Sequence, residues 1–296
     1  MATNPIWVPP LNAGKTMRLV AVFLSILALA AQPAYAESSP SLLSLEQQLA
    51  FLVAGTTGDV GIAALDLRNG TSVSIRGDEP FPMASTVKVA VAATYLAQVD
   101  HGRRSLDDTI ARQPATKLIE AMLIHSDNHA TDLLLKDLGG PATVQQWLDF
   151  NGLKGIRIDR TIAQLLSDRR NLFELRDTST PHAMIDLLRR IDNGGVLKPA
   201  SRTYLLGMMS HCMTGRNRIK AMLPMGTRVE HKTGTLTGLT DDVGFITLPD
   251  GRRIALAVFA RGGTNRSLTI AQAARAIYDG FASALTRPFS TGLYAR

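Results

Sequence analysis

Ser85 and Lys88 stand three residues apart at the start of an apolar run from Val87 to Val99. Positions i and i+3 of a helix share a face, so the amine can reach the hydroxyl. A lysine in so apolar a segment has its pKa depressed by desolvation and can act as a base. A serine with an adjacent base is the requirement for nucleophilic catalysis. The spacing alone carries little weight, because a chain of this length shows about one S-x-x-K by chance. Two further triplets, Ser126-Asp127-Asn128 and Lys232-Thr233-Gly234, follow in order and add a second hydroxyl, an amide and a second cation.

These residues must be held by elements whose order is legible. Residues 42–54 read as a helix and Val60 to Leu67 as a strand. Arg68-Asn69-Gly70 makes a turn, because Asn-Gly readily adopts positive φ, and Thr71 to Arg76 returns as a partner strand. From Ser85 to about Ala200 the patterns are mostly helical, with breaks at Gly102, Gly139-Gly140-Pro141 and Gly194-Gly195. Strand patterns resume near Arg228. Asp241 to Leu248 and Arg253 to Arg261 flank Pro249-Asp250-Gly251, a hairpin signal. A closing helix runs from about Leu268 to Ala284. The expected fold is α/β (α+β): an antiparallel sheet flanked by terminal helices, with an inserted all-helical lobe. The α/β lobe comprises residues 41–80 and 214–290, the helical lobe residues 81–213, and the cleft between them is the expected site.

Before this domain lies a targeting pattern. Lys15 and Arg18 precede an apolar run from Leu19 to Ala31, and Ala34-Tyr35-Ala36 is an A-x-A cleavage signal. We read residues 1–36 as a signal peptide with an N-terminal extension, Met17 being an alternative start, and residues 37–296 as the mature domain. Periplasmic or secreted placement follows, with no membrane anchor after processing. Removing Lys15 and Arg18 lowers the formal charge from +7 to +5. The basic residues are scattered and few aromatics accompany them, which argues against nucleic acid as a partner. Cys212 is the single cysteine, so no internal disulfide forms. It sits in a helical stretch and reads as a small buried apolar residue.

S-x-x-K, S-D-N and K-T-G together form the signature of class A β-lactamases and penicillin-binding proteins, and the chain resembles the class A serine β-lactamases across most of its mature length. Asp159-Arg160 and Arg176-Asp177-Thr178-Ser179-Thr180-Pro181 resemble the two ends of that family's Ω loop. Thr214-Gly215, Arg218-Ile219 and Leu223-Pro224 resemble the stretch before the last motif, and His231-Lys232-Thr233-Gly234-Thr235 the strand lining the site. The resemblance implies Ser85 as the acylated nucleophile, Lys88 as its proton acceptor or relay, and Ser126 as proton donor to the leaving nitrogen. It implies Asn128 for the substrate's side-chain amide, Lys232, Thr233, Thr235 and Arg218 for its carboxylate, and backbone N–H groups of Ser85 and Thr235 for the oxyanion. Arg218 matches a position where some carbapenem-hydrolysing relatives carry arginine; a surface helix charge is the alternative. Arg160 and Asp177 are expected to pair across the neck of the loop.

The chain departs from the family at Ile162 and Leu166, where relatives place the glutamate and asparagine that hold the hydrolytic water. Neither side chain can bind or deprotonate water. General-base assistance is worth roughly 10²–10⁴-fold, so acylation should survive and deacylation suffer. Asp168 and Glu174 are candidate replacement bases, as are Lys88 and Ser126 themselves. The segment between Lys88 and Ser126 is short for the family, which implies a more open cleft. His125 and His129 have i, i+4 spacing that binds zinc on a continuous helix, but Ser126-Asp127-Asn128 between them is an expected turn. No cofactor is expected, with zinc at His125, His129 and His211, and so a metal-assisted hydrolase, as the lesser alternative. His231 reads as a strand residue facing away from Lys232. The function expected is a monomeric serine β-lactamase of slow or restricted turnover, with carbapenems in its range. The alternatives are a β-lactam-binding acyl trap or sensor, and a D,D-peptidase or esterase acting on cell-wall peptide.

Overall fold

The structure is a computed structural model and describes residues 40–169 and 171–283. The leader read at residues 1–36 lies outside them. Helix α1 (Pro40–Ala54) leads into strands β1 (Asp59–Asp66) and β2 (Ser72–Ile75). A short β3 (Phe81–Pro82) and a 3₁₀ turn (Ala84–Val87) run straight into α2 (Lys88–Asp100). The miniature hairpin β4 (Thr109–Ile110) and β5 (Gln113–Pro114) precedes α3 (Ala115–Ile124), α4 (Asn128–Leu138) and α5 (Pro141–Phe150). Next come α6 (Ile162–Ser167), β6 (Thr178–Ser179), α7 (Pro181–Asp192) and α8 (Pro199–Ser210). The chain returns through β7 (Val229–Leu236), β8 (Leu239–Thr247) and β9 (Arg253–Arg261) to α9 (Arg266–Ser283). The expected α/β architecture is present, with antiparallel sheet order β2-β1-β9-β8-β7.

Alternation along the strands explains why the sheet is covered on both faces. In β9, Ala255, Ala257 and Phe259 join the core shared with the helical lobe, while Ile254, Leu256, Val258 and Ala260 join the core under α1 and α9. Helix α2 is buried from Lys88 to Ala97 without a polar face, as an all-round apolar helix must be. It carries the chemistry-bearing lysine into the interior. Gly139, at φ +98°, ends α4 in the left-handed conformation, and Pro141 opens α5 two residues later.

Strand β7 is an edge of the sheet and lies against the 3₁₀ turn that holds Ser85. Gly234 permits this approach: a Cβ there would lie 2.7 Å from the Met83 carbonyl oxygen and 2.8 Å from Asp241 Oδ2. Cys212 lies two residues past the end of α8, contrary to the expectation of a helical position. His211 caps that helix and the chain turns inward toward β7. No helix among the described residues is long and apolar enough to cross a membrane.

Candidate active site

Ser85, Lys88, Ser126, Asn128, Lys232 and Thr233 come from the 3₁₀ turn, α2, the α3–α4 turn, α4 and β7. The Lys88 amine is the hub. Its nitrogen donates to the Ser126 carbonyl at 2.8 Å, to Asn128 Oδ1 at 2.8 Å and to Ser126 Oγ at 3.3 Å. These acceptors take the three donors of the ammonium, rather than the Ser85 hydroxyl that the i, i+3 spacing suggested. On its other side, Ser126 Oγ accepts from Lys232 Nζ at 2.9 Å. One hydroxyl thus bridges two amines.

Both amines are buried without a carboxylate bonded to them. Burial is the main cause that brings Lys88 down to about 7, the Lys232 charge adding to it against the pull of Asp127 and Asp132. Lys232 falls to about 8, again chiefly by burial, with Cys212 and Asp242 opposing and Arg218 adding. Burial thus brings both amines toward neutrality, Lys88 the further of the two.

Local backbone geometry is held under strain at the two serines. Ala84, just before Ser85, has φ +44°, and Ser126 has φ +60°. Left-handed conformations in non-glycine residues cost about 1 kcal/mol or more each and persist where surroundings enforce them. At Ser126 the enforcement is visible: Lys88 holds its carbonyl, and Asp127 caps α4 by accepting the Ala130 N–H at 2.6 Å.

Strand alternation splits the last motif. Lys232 turns toward Ser126, while His231, Thr233 and Thr235 share the opposite face. Arg218 joins that face. Its guanidinium donates to Thr235 Oγ1 at 2.6 Å and to the carbonyls of Gly234 and Asp241 at 2.9 and 2.8 Å. Only 8% exposed, Arg218 is buried against β7 and is not a surface helix charge.

The loop from Asp159 to Asp177 closes as expected. Arg160 Nε donates to Asp177 Oδ2 at 2.6 Å, and both are buried. The same guanidinium holds Asp168 at 2.8 Å and Glu174 at 3.0 Å. The two candidate replacement bases are thus turned onto one arginine. Ile162 begins α6 and is buried in the core of the helical lobe, whereas Leu166 is 45% exposed.

His125 caps the end of α3 and His129 is the second residue of α4, so they do not share a continuous helix and the zinc spacing is not realised. Among the described residues, no group of three or more His, Cys, Asp or Glu is placed to hold a metal. His231 faces away from Lys232, yet into a polar cluster instead of plain core. Its Nδ1 lies 2.8 Å from Asp242 Oδ1. Asp132 and Asp242 carry no sequence signal of their roles, since neither belongs to a motif.

The site combines a serine in a strained turn, two buried amines with lowered pKa and a hydroxyl that bridges them, an arrangement suited to serine acyl transfer. A family model described as the Beta-lactamase enzyme family matches residues 44–281. The chain is 30% identical over 276 residues to the extended-spectrum β-lactamase PER-1 of Pseudomonas aeruginosa, covering 82% of this chain and 89% of that one. It is 31% identical over 249 residues to the carbapenem-hydrolyzing β-lactamase KPC of Klebsiella oxytoca, covering 75% and 84%. Among solved structures, an ancestral class A β-lactamase of Gram-negative bacteria superposes with a TM-score of 0.76 at 35% identity, covering 80% of this chain and all of that one. A β-lactamase from Chitinophaga pinensis gives a TM-score of 0.75 at 30% identity, covering 80% and 99%. The chain belongs to the class A serine β-lactamase family, and is a hydrolase of that family.

Proposed function

We propose that this protein opens β-lactam rings by acylation at Ser85 and releases the product slowly. Neutral Lys88 takes the Ser85 proton, directly or through Ser126, as the hydroxyl attacks the lactam carbonyl. Ser126, bridged to both amines, delivers a proton to the lactam nitrogen as the C–N bond breaks. Backbone N–H groups of Ser85 and Thr235 receive the oxyanion. Protonated Lys232 with Thr233, Thr235 and Arg218 receives the substrate carboxylate, and Asn128 its side-chain amide. A small-molecule β-lactam is the partner, acted on by an exported monomer that uses no cofactor. The leader pattern supports the export.

The observation that carries slow release is the apolar, buried Ile162 at the place of the water-holding glutamate, with Asp168 and Glu174 both bound to Arg160. The same observation favours a second reading, an acyl trap in which release is too slow for turnover. Carbapenems enter the substrate range through the buried Arg218 and the kinship with KPC. A D,D-peptidase activity on cell-wall peptide is the remaining alternative, read out by release of D-alanine.

Intact-protein mass spectrometry after mixing with a penicillin and with a carbapenem tests this. A Ser85 adduct that persists while product accumulates at a rate matching its decay supports slow turnover. An adduct without product makes the protein a trap. Absence of any adduct on a folded chain overturns both.

A further inference from the structure

A threonine hydroxyl carries a single hydrogen, so the neighbour that decides where it points decides what the hydroxyl can bind. Thr235 and Thr233 differ in that neighbour. Thr235 Oγ1 accepts from the Arg218 guanidinium at 2.6 Å. Arginine only donates, so the Thr235 hydrogen is left for another acceptor. Thr233 lies on the same face of β7 and is 3% exposed. Its Oγ1 has Thr214 Oγ1 at 2.5 Å, and either hydroxyl can be the donor. One direction spends the Thr233 hydrogen on Thr214; the other leaves it free.

Thr214 is held for this contact by the loop that runs from α8 to β7. Gly215 passes Thr233 so closely that a Cβ there would sit 2.4 Å from the Thr233 methyl. That methyl abuts backbone, which leaves the β-branched side chain little freedom to turn. The loop is also clamped on both sides. The Met213 N–H donates to the Ile124 carbonyl at 3.0 Å, two residues before Ser126, and the Ile219 N–H donates to Asp242 Oδ2 at 3.3 Å. Between them the Arg218 N–H donates to the Gly215 carbonyl at 3.0 Å. Besides Thr233, the Thr214 hydroxyl has the Cys212 thiol at 3.3 Å, a weak partner that competes little for the Thr214 hydrogen.

We propose that Thr214 is a positioning residue for the substrate carboxylate: it donates its hydroxyl hydrogen to Thr233 and so turns the Thr233 hydrogen onto the ligand. The inference rests on the β-lactamase reading, which brings a carboxylate to Lys232, Thr233, Thr235 and Arg218. A carboxylate only accepts, so its arrival forces the direction. Thr233 donates to it, and Thr214 donates to Thr233. Hydrogen bonds in such a chain polarise one another, which strengthens the one made to the charge. Thr214 thus does for Thr233 what Arg218 does for Thr235. The carboxylate meets two hydroxyls on one strand face, each backed by a donor of its own. An ester carbonyl carries no charge and draws less from the chain. Thr214 makes no contact with the reacting lactam, so it acts on capture of the drug and not on the chemical step.

Stopped-flow acylation of Ser85 by a penicillin and by its methyl ester, each over a range of concentrations, tests this on the full chain. Thr214→Val keeps the shape and removes the hydroxyl. It should raise the concentration of free acid giving half-maximal acylation about fivefold to tenfold, with the limiting rate unchanged within about twofold. The ester should respond by less than about twofold, and Thr214→Ser should restore the parent values. In a Thr233→Val background, Thr214→Val should add less than about twofold, because its partner is gone. Circular dichroism checks each fold, and Thr214→Ala carries the same expectations where valine is not accommodated. Equal losses for acid and ester overturn the proposal, as does a full further loss in the Thr233→Val background. So does a Thr214→Val chain that takes the free acid as the parent does. A parent chain acylated by neither drug overturns the β-lactamase reading and this inference with it; the other adverse outcomes overturn this inference alone.

Discussion

The Asp132 carboxylate holds the Ile162 N–H at 2.7 Å with one oxygen and the Ala163 N–H at 2.8 Å with the other. A side chain on α4 thereby satisfies two of the free donors at the start of α6, where negative charge is favoured. Thr161 and Gln164 cap the same end reciprocally. The anchor explains how α6 stays seated although the loop carries none of the family's water-holding side chains. Replacing Asp132 by alanine should cost about 1–3 kcal/mol, read from urea denaturation, and should open residues 162–176 to proteolysis. The milder Asp132→Asn substitution keeps one acceptor oxygen and should cost less.

Ile162 acts as core. Ile162→Ala should destabilise the protein by about 2–5 kcal/mol, while the decay rate of a Ser85 acyl adduct stays within about twofold of the parent. A large change in adduct lifetime would mean that this side chain shapes the water site after all.

Asp168 and Glu174 are engaged by Arg160. If they serve only as its counter-ions, Asp168→Asn and Glu174→Gln should leave adduct decay within about twofold. A general base would be worth roughly 10²–10⁴-fold, so single-turnover decay of each variant separates the two roles cleanly.

The acylation rate should follow a narrow bell in pH. Lys88 must be neutral to take a proton, so the rate rises as pH climbs through about 7. Lys232 must be charged to hold a carboxylate, so the rate falls as pH climbs above about 8. The two amines share Ser126, so the limbs belong to the pair. Stopped-flow acylation from about pH 5 to about pH 10 measures both limbs; a flat profile through neutrality would exclude Lys88 as the base.

Arg218 joins three acceptors through one planar fork. Lysine cannot reproduce that geometry. Arg218→Lys should slow acylation by a carboxylate-bearing β-lactam by about tenfold to a hundredfold, with a smaller effect on an ester of the same drug.

The sequence by itself determined the three motifs that the fold gathers into one cleft and the order of elements around them. Those features are local: three short motifs, Gly139-Gly140-Pro141 between helices, and alternating strands whose limits at Arg253–Arg261 match the structure. It also determined the loss at Ile162, because chemistry absent from a side chain is absent in any fold. What only the tertiary structure decided is where each polar group is used. Lys88 faces Ser126 and Asn128 because the α3–α4 turn brings their oxygens to it, thirty-eight and forty residues along the chain. Asp168 and Glu174 are bound to Arg160 because the closed loop brings both within reach of one guanidinium. His231 and Asp242 meet because β7 pairs with β8. Residue type sets what a group can do, but its partners are set by the packing of segments far apart in sequence, which no local spacing encodes.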